Sequence, residues 1–151
     1  MGWYTEVRND ISNIPDAIDY YQKELIDARI DVKISGLVEK AASKIPGIIE
    51  HRYSQLQEIE AILNFLNIEL RRIRSAYFKK YLENYQRSLS SRDVEKYVDG
   101  EPDIVDQELL INEFALLRNK WLGVLKALDA KGFAINNVIK LRTAGMEDAT
   151  L

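Results

Sequence analysis

One stretch decides the fold: residues 49–77 read IEHRYSQLQEIEAILNFLNIELRRIRSAY. After a first step of seven, its apolar residues recur at alternating spacings of three and four, the period of one face of an α-helix. At 1.5 Å per residue, an uninterrupted helix here would be on the order of 40 Å long. Such a helix cannot bury its own stripe, so it requires partner helices from the same chain or from another copy. The stripe consists of Ile49, Leu56, Ile59, Leu63, Leu66, Leu70, Ile73 and Tyr77.

A second long amphipathic helix is predicted from Asp103 onward. Its stripe has spacings of four and three and is widened by further apolar side chains. Gly132 is expected to end or kink this helix, and a short apolar element then continues toward Arg142. The two stripes fit an intramolecular hairpin or a bundle of several chains, and the width of the second stripe slightly favours the bundle. That second stripe consists of Leu110, Phe114, Leu117, Trp121, Val124 and Leu128.

The few prolines and glycines fall where boundaries are expected. Pro15 with Asp16 indicates a helix start, residues 29–36 read as a connector, and a short helix over 37–44 is expected to end before Pro46. Ser90–Asp93 indicates a break or a fresh helix cap, and the Gly100–Asp103 run indicates a stronger break. The sequence therefore divides into an N-terminal helical region (1–45), a long helix with a basic cluster (46–99), C-terminal helices (100–142) and a polar tail (143–151).

The two periodic stripes predict an all-α protein, and composition predicts that it is soluble. The chain has 151 residues, a net charge of −3 and no cysteine, which excludes disulfides and thiolate metal sites. Its N-terminus lacks the basic start and apolar run of a signal peptide, and no apolar stretch approaches the length of a membrane span. We therefore expect a soluble, cytoplasmic protein.

Catalytic motifs are not found in the sequence. His51 is the only histidine, and no carboxylate stands at a spacing that would pair with it as a metal site. Neither a glycine-rich phosphate loop nor a nucleophile elbow is present. We expect a protein without enzymatic activity, catalytic residues, a metal or a cofactor.

Charge is unevenly distributed along the chain. Residues 1–70 carry seven basic and twelve acidic side chains, residues 71–96 carry eight basic and three acidic ones, and residues 97–113 carry six acidic and no basic ones. The basic segment is therefore a candidate surface for a polyanion. Its cations are interleaved with aromatic residues, a combination that single-stranded nucleic-acid binders use.

Within that segment, helical spacing places Arg71, Arg74 and Phe78 on one flank. The guanidinium groups would contact phosphates, and the ring would stack on a base. The alternative is that these are ordinary solvated charges that pair with the acidic segment 97–113. The candidate DNA-binding residues are Arg71, Arg72, Arg74, Phe78, Lys79 and Lys80.

Two motifs carry a resemblance to a known family. The first is the run KGFAI at 131–135 with Arg142 seven residues after Ile135, preceded by WLGVL at 121–125. The second is Arg72-Ile73-Arg74 followed by two adjacent aromatic residues. In these motifs the chain resembles the UvsY recombination mediators of T-even-like bacteriophages. The resemblance is good over about the last third of the chain, fair across the long helix and poor before residue 46.

The resemblance implies a ring-like homo-oligomer of six or seven subunits in the host bacterial cytoplasm, assembled through the C-terminal helices. Such proteins bind single-stranded DNA, loosen the hold of single-strand-binding protein and help load a RecA-like recombinase. Arg72 and Arg74 match the family's basic pair and become the best candidates for DNA contact. The implied oligomerisation residues are Leu110, Phe114, Leu117, Trp121, Val124, Leu128 and Phe133.

The chain departs from the family pattern in its longer N-terminal region and in its charged, helical connector after the aromatic pair. The main competing hypothesis is a helical oligomeric scaffold or adaptor that binds only proteins. It would keep both apolar stripes and use the basic cluster as a solvated face or as a dock for an acidic partner.

Overall fold

The computed structural model describes residues 2–84 and 89–145, and every regular element in these ranges is helical. The all-α prediction is therefore confirmed. The α-helices are α1 (Trp3–Asn9), α2 (Ile14–Val32), α3 (Val38–Asn84), α4 (Ser91–Asp99) and α5 (Pro102–Thr143), with a 3-10 turn over Ile11–Asn13 between the first two. No helix in the described part of the chain is both long enough and apolar enough to cross a membrane.

Helices α3 and α5 form a long antiparallel hairpin. Near one end Ile45 packs with Ile135, and near the other the Gln107 side-chain amide donates to the backbone carbonyl of Leu66 at 3.0 Å. As the residue number rises along one helix it falls along the other, so the two helices run in opposite directions. The predicted stripes meet in this hairpin, because a 3.6-residue period places their apolar side chains on facing surfaces.

The middle of the hairpin is covered by the N-terminal helices. Tyr21 of α2 packs edge-on against Trp121 of α5, with ring centroids 5.8 Å apart, and both rings are fully buried. Helix α1 is attached to α3 through the Glu58 carboxylate, which accepts a hydrogen bond from the Tyr4 amide at 2.8 Å. The bundle thus buries the centre of the second stripe without a second copy of the chain, while Leu122 on its widened side stays exposed.

Helix α3 begins earlier than the sequence predicts. The short helix that was expected to end before Pro46 is the first part of α3, which continues through Pro46 without a break. Val38 and Ile45 lie in this early part and are buried against Ile135 of α5. Tertiary packing therefore stabilises turns that the missing proline N–H would otherwise disfavour.

Two other boundaries also differ from the predictions. Helix α2 extends to Val32, so the connector covers only 33–37. Helix α5 does not end at Gly132 but runs on to Thr143, because Lys131 and Ile135 on either side of the glycine are both buried in the bundle. The predicted breaks near Ser90 and Gly100 are confirmed by the separate helix α4. Residues 146–151 of the predicted tail lie outside the described residues.

Candidate nucleic-acid interface

The basic cluster lies on the C-terminal part of α3, where α4 and the start of α5 fold back against it. Val94, Val98 and Ile104 form a small buried core at this end of the molecule. Apolar and aromatic side chains of α3 pack against that core on one side of the helix. The opposite side of α3 faces solvent. The packed residues of α3 are Leu70, Ile73, Tyr77, Phe78 and Tyr81.

The tyrosines of the cluster attach α3 to its neighbours. The Tyr77 hydroxyl donates to the Asp103 carboxylate at 2.6 Å, and this hydrogen bond raises the pKa of Tyr77. The Tyr81 hydroxyl donates to the Glu101 carboxylate, and the Tyr81 ring stacks on Tyr97 of α4 with centroids 5.7 Å apart. The aromatic residues in this segment therefore help to fold α4 and α5 onto α3.

Two of the predicted DNA-contact residues, Arg74 and Phe78, contact α4 and the start of α5 in the same way. Arg74 forms an ion pair of 2.6 Å with Asp99 and lies 3.8 Å from Glu108, both in the acidic segment. Phe78 is partly buried against Val98 and its neighbours, so only part of its ring reaches the surface, in a pocket of about 240 Å³ that it lines with Arg74. For Arg74 the pairing with residues 97–113 that the sequence left as an alternative is the arrangement observed.

The other four predicted cations are exposed on the outer side of α3. Arg71 has no ion-pair partner among the residues that the structure describes. Arg72 is held by Glu69 one turn earlier, at 2.6 Å, and this hydrogen bond raises the pKa of Arg72. Lys79 lies 3.9 Å from Glu83, a separation at which an exposed pair is weak. We call Arg71, Arg72, Lys79 and Lys80 the basic strip.

A shallow groove of about 310 Å³ runs along one edge of the basic strip. Arg72 and Lys80 supply its charge, and the Tyr77 ring supplies an apolar wall. The Lys80 ammonium lies 5.8 Å from the centre of that ring, within the range of a cation–π contact. The groove brings together two cations and an aromatic face, the combination that the sequence placed at Arg71, Arg74 and Phe78.

The predicted oligomerisation stripe lies inside the monomer. Phe114, Trp121 and Leu128 are fully buried in the core shared with α2 and α3, and Leu117 and Val124 are at most 6% exposed. Leu110 is partly buried against the same core. These six residues therefore build the intramolecular hairpin of the monomer, and their part in contacts between copies stays a prediction. Among the predicted set, only Phe133 is displayed to solvent, at 73% exposure.

A different face of α5 carries exposed apolar side chains. Leu109 and Leu116 are 59% and 53% exposed and stand seven residues apart, so they project from the same side of the helix. Gly123 follows at the same interval, and apart from the adjoining turns of α5 no atom lies within 4 Å of the place where a Cβ would stand. We call Leu109, Leu116 and Gly123 the outer stripe.

Catalytic and metal sites were not expected, and their expected absence stays a prediction. His51 is exposed on α3. Within residues 2–84 and 89–145, no three histidine, aspartate or glutamate side chains are grouped so that they could hold a metal ion. Arg87, whose membership of the basic surface the sequence left open, lies outside the described residues.

Comparison with known proteins gives no match. No protein-family model matches the chain, and no curated protein or solved structure is significantly similar to it.

Sequence reasoning missed the acidic partners that divide the basic cluster. Glu69 had a local signal, because it stands three residues before Arg72 on the same helix. No sequence signal indicates that Asp99 and Glu108 pair with Arg74, because their proximity to it depends on how α4 and α5 pack against α3. The general charge alternation between 71–96 and 97–113 was the only hint.

Proposed function

We propose that this protein binds single-stranded DNA through the basic strip of α3 and acts as a recombination mediator. In that role it would help a RecA-like recombinase to replace single-strand-binding protein on the strand. The observation that carries the proposal is that Arg71, Arg72, Lys79 and Lys80 are all exposed on the side of α3 that neither α4 nor α5 covers.

Charge separation supports this role in a protein whose net charge is negative. The acidic segment 97–113 lies on α4 and α5, where Asp99 and Glu108 face Arg74 and Asp103 accepts from Tyr77. Several carboxylates are thereby directed toward α3's inner side. The basic strip remains on the outer side, where phosphates can approach it and release bound counterions.

The groove beside the strip suggests how a base would be held. Tyr77 takes the place that the sequence assigned to Phe78, since its ring lines the groove between Arg72 and Lys80. A base that enters there would meet an aromatic face while its phosphates meet the two cations. Stacking of this kind contributes roughly 1–3 kcal/mol per base and depends little on sequence.

Assembly into a homo-oligomer would multiply this modest site. Four cations in one copy make a weak contact, but linked copies gain from effective concentration when one strand crosses several of them. Because the predicted stripe is used inside the monomer, we assign the contact between copies to the outer stripe and Phe133. A ring of six or seven subunits, and the partnership with a recombinase and single-strand-binding protein, rest on the UvsY resemblance.

The test is fluorescence anisotropy of labelled single- and double-stranded oligonucleotides across a salt series. We expect preferential binding to the single strand and a steep loss of affinity with salt. Arg71→Gln/Arg72→Gln should weaken binding and reduce the slope of log K against log salt by about 1.4, at about 0.7 per phosphate contact. Arg74 is left unchanged because it holds α4 and α5.

The matched control is Lys120→Gln/Lys126→Gln, which removes the same charge from exposed positions on α5. It should bind DNA as the wild type does. A wild-type protein that keeps its helical fold but fails to bind single strands at low salt would overturn the proposal, as would equal losses in the two double variants.

A scaffold or adaptor without nucleic-acid binding is the second candidate function. It is favoured by the exposed apolar side chains of the outer stripe and by the pairing of Arg74 with the acidic segment. The same experiment separates the two candidates. A scaffold would oligomerise or bind another protein but would not bind DNA at low salt.

A further inference from the structure

A second concentration of positive charge lies at the other end of α3, around the connector between α2 and α3. A pocket of about 280 Å³ opens there, and lysines from three parts of the chain line it. Lys33 belongs to the connector, Lys40 and Lys44 to the start of α3, and Lys131 to α5. Along α3, Lys40 and Arg72 are separated by roughly 50 Å at 1.5 Å per residue, so this pocket is distinct from the basic strip.

Lys131 is the unusual member of the group. It is only 9% exposed, and its ammonium donates to the backbone carbonyl of Asp31 at 2.8 Å. An ammonium has three N–H donors, and the described part of the chain provides no carboxylate as an ion-pair partner for this one. A buried charge without a counter-charge is unfavourable, so the site is suited to an anion that supplies one.

The acidic side chain in the pocket lining does not supply that counter-charge. Asp31 lines the pocket, but its Oδ2 accepts from two nitrogens of Arg52, at 2.8 Å and 2.7 Å, and Arg52 is not part of the lining. Lys33, Lys40 and Lys44 are exposed around the opening. Four lysines therefore line a pocket whose one carboxylate makes its ion pair with Arg52.

The backbone at the pocket reinforces the preference for an anion. Gly36 and Leu37 in the lining directly precede the first turn of the 47-residue helix α3. The first N–H groups of a helix have no partners within it, and the helix dipole places partial positive charge there. Ser35 adds a hydroxyl to the lining. A tetrahedral oxyanion would meet ammonium groups, a hydroxyl and a helix N-terminus together.

We propose that Lys33, Lys40, Lys44 and Lys131 form a binding site for a phosphate group. The phosphate would come either from a nucleic-acid backbone or from a small phosphorylated molecule. The pocket does not depend on DNA binding by the basic strip, because it lies at the opposite end of α3 and shares no residue with it.

The first test is thermal unfolding of the full chain during titration with inorganic phosphate at constant ionic strength, with chloride as the balancing anion. Phosphate that binds the folded state at ten times its Kd should raise Tm by about 3–6 °C. Lys40→Gln/Lys44→Gln should abolish the rise. These lysines are exposed, so the variant keeps its core. Lys120→Gln/Lys126→Gln removes equal charge elsewhere and should retain the rise.

A second test identifies the source of the phosphate, with single-stranded oligonucleotide as the probe. A weaker, less salt-dependent complex in Lys40→Gln/Lys44→Gln supports a strand phosphate in the pocket. Unchanged DNA affinity in a variant that has lost the phosphate-dependent rise supports a small phosphorylated molecule. If phosphate stabilises a wild type that binds no DNA, the pocket stands and the proposed function fails. A Tm that is the same in phosphate and chloride, or a rise retained in the variant, overturns the pocket.

Discussion

At the scale of single residues, Arg52 is the most heavily engaged charge in the described structure. Arg52 is 4% exposed, and its guanidinium donates to Glu24, Asp31 and Gln55 at 2.8–2.9 Å. The Gln55 amide also donates to Glu24, and this hydrogen bond, with the Arg52 ion pair, holds the pKa of Glu24 below its ordinary value of 4.5. Arg52 thereby joins α2 to α3 and pairs the carboxylate beside the lysine pocket.

Replacing Arg52 should therefore destabilise the fold strongly. Arg52→Ala leaves two carboxylates, about a quarter exposed, without their cation. We expect the free energy of unfolding to fall by about 2–4 kcal/mol, below the upper range for fully buried pairs because solvent screens these carboxylates. Urea denaturation measures the change. Arg8→Ala, at an exposed position, should stay within about 0.5 kcal/mol of wild type. Similar losses in both variants would contradict the role of Arg52.

At the scale of elements, the continuity of α3 through Pro46 decides where the lysine pocket lies. A proline within a helix removes one backbone hydrogen bond and crowds the preceding turn. The turns before it persist because Val38 and Ile45 are buried against α5. If α3 instead began after Gly47, Lys40 and Lys44 would not be on the same rigid element as the basic strip.

Replacing this proline should stabilise the protein. Pro46→Ala restores the missing N–H in a helix interior and should raise the free energy of unfolding by about 1–3 kcal/mol. Pro15 is the matched control, because it stands in the first turn of α2, where a proline is well tolerated. Pro15→Ala should change the stability by less than about 0.5 kcal/mol. Urea denaturation with hydrogen exchange over residues 38–46 makes the comparison, and a neutral Pro46→Ala would argue for a helix that starts after Gly47.

At the scale of the whole molecule, the monomer buries its two hydrophobic stripes against each other and leaves a separate apolar surface for other copies. Trp121 and Phe114 are buried by α2 and α3, so assembly through them would require the bundle to open. The outer stripe requires no opening. Gly123 in that stripe would also allow a neighbouring helix to approach closely, since only the adjoining turns of α5 lie near its missing Cβ.

Charges placed in the outer stripe should therefore prevent assembly without unfolding the subunit. Leu109→Glu/Leu116→Glu should convert an oligomer into monomers in sedimentation velocity and leave the helical circular dichroism unchanged, because both residues are more than half exposed in the monomer. Tyr53→Glu, at a 54% exposed position on α3, is the control and should sediment as the wild type does. A monomeric wild type would refute the assembly, and an oligomer that survives both substitutions would exclude this surface as its interface.

The sequence by itself determined the fold class, the two long helices and the residues that face their shared core. Leu56, Ile59 and Leu66 on α3, and Phe114 and Trp121 on α5, were predicted to belong to apolar stripes and are buried. This succeeds because the helical period is a local property: residues three and four apart share a face whatever the rest of the chain does.

Only the tertiary structure decided which surface each apolar stripe packs against and which charged side chains remain without an ion pair. Whether α5 packs on α3 or on another copy, and whether Arg74 meets Asp99 while Arg71 stays exposed, depends on contacts between helices that the local pattern does not encode. The lysine pocket is the clearest case, since Lys131 reaches a carbonyl 100 residues away. Local spacing predicts which face of its helix a side chain occupies. The residue that it contacts on another helix depends on how whole helices pack, which is decided by the apolar surface buried over many residues.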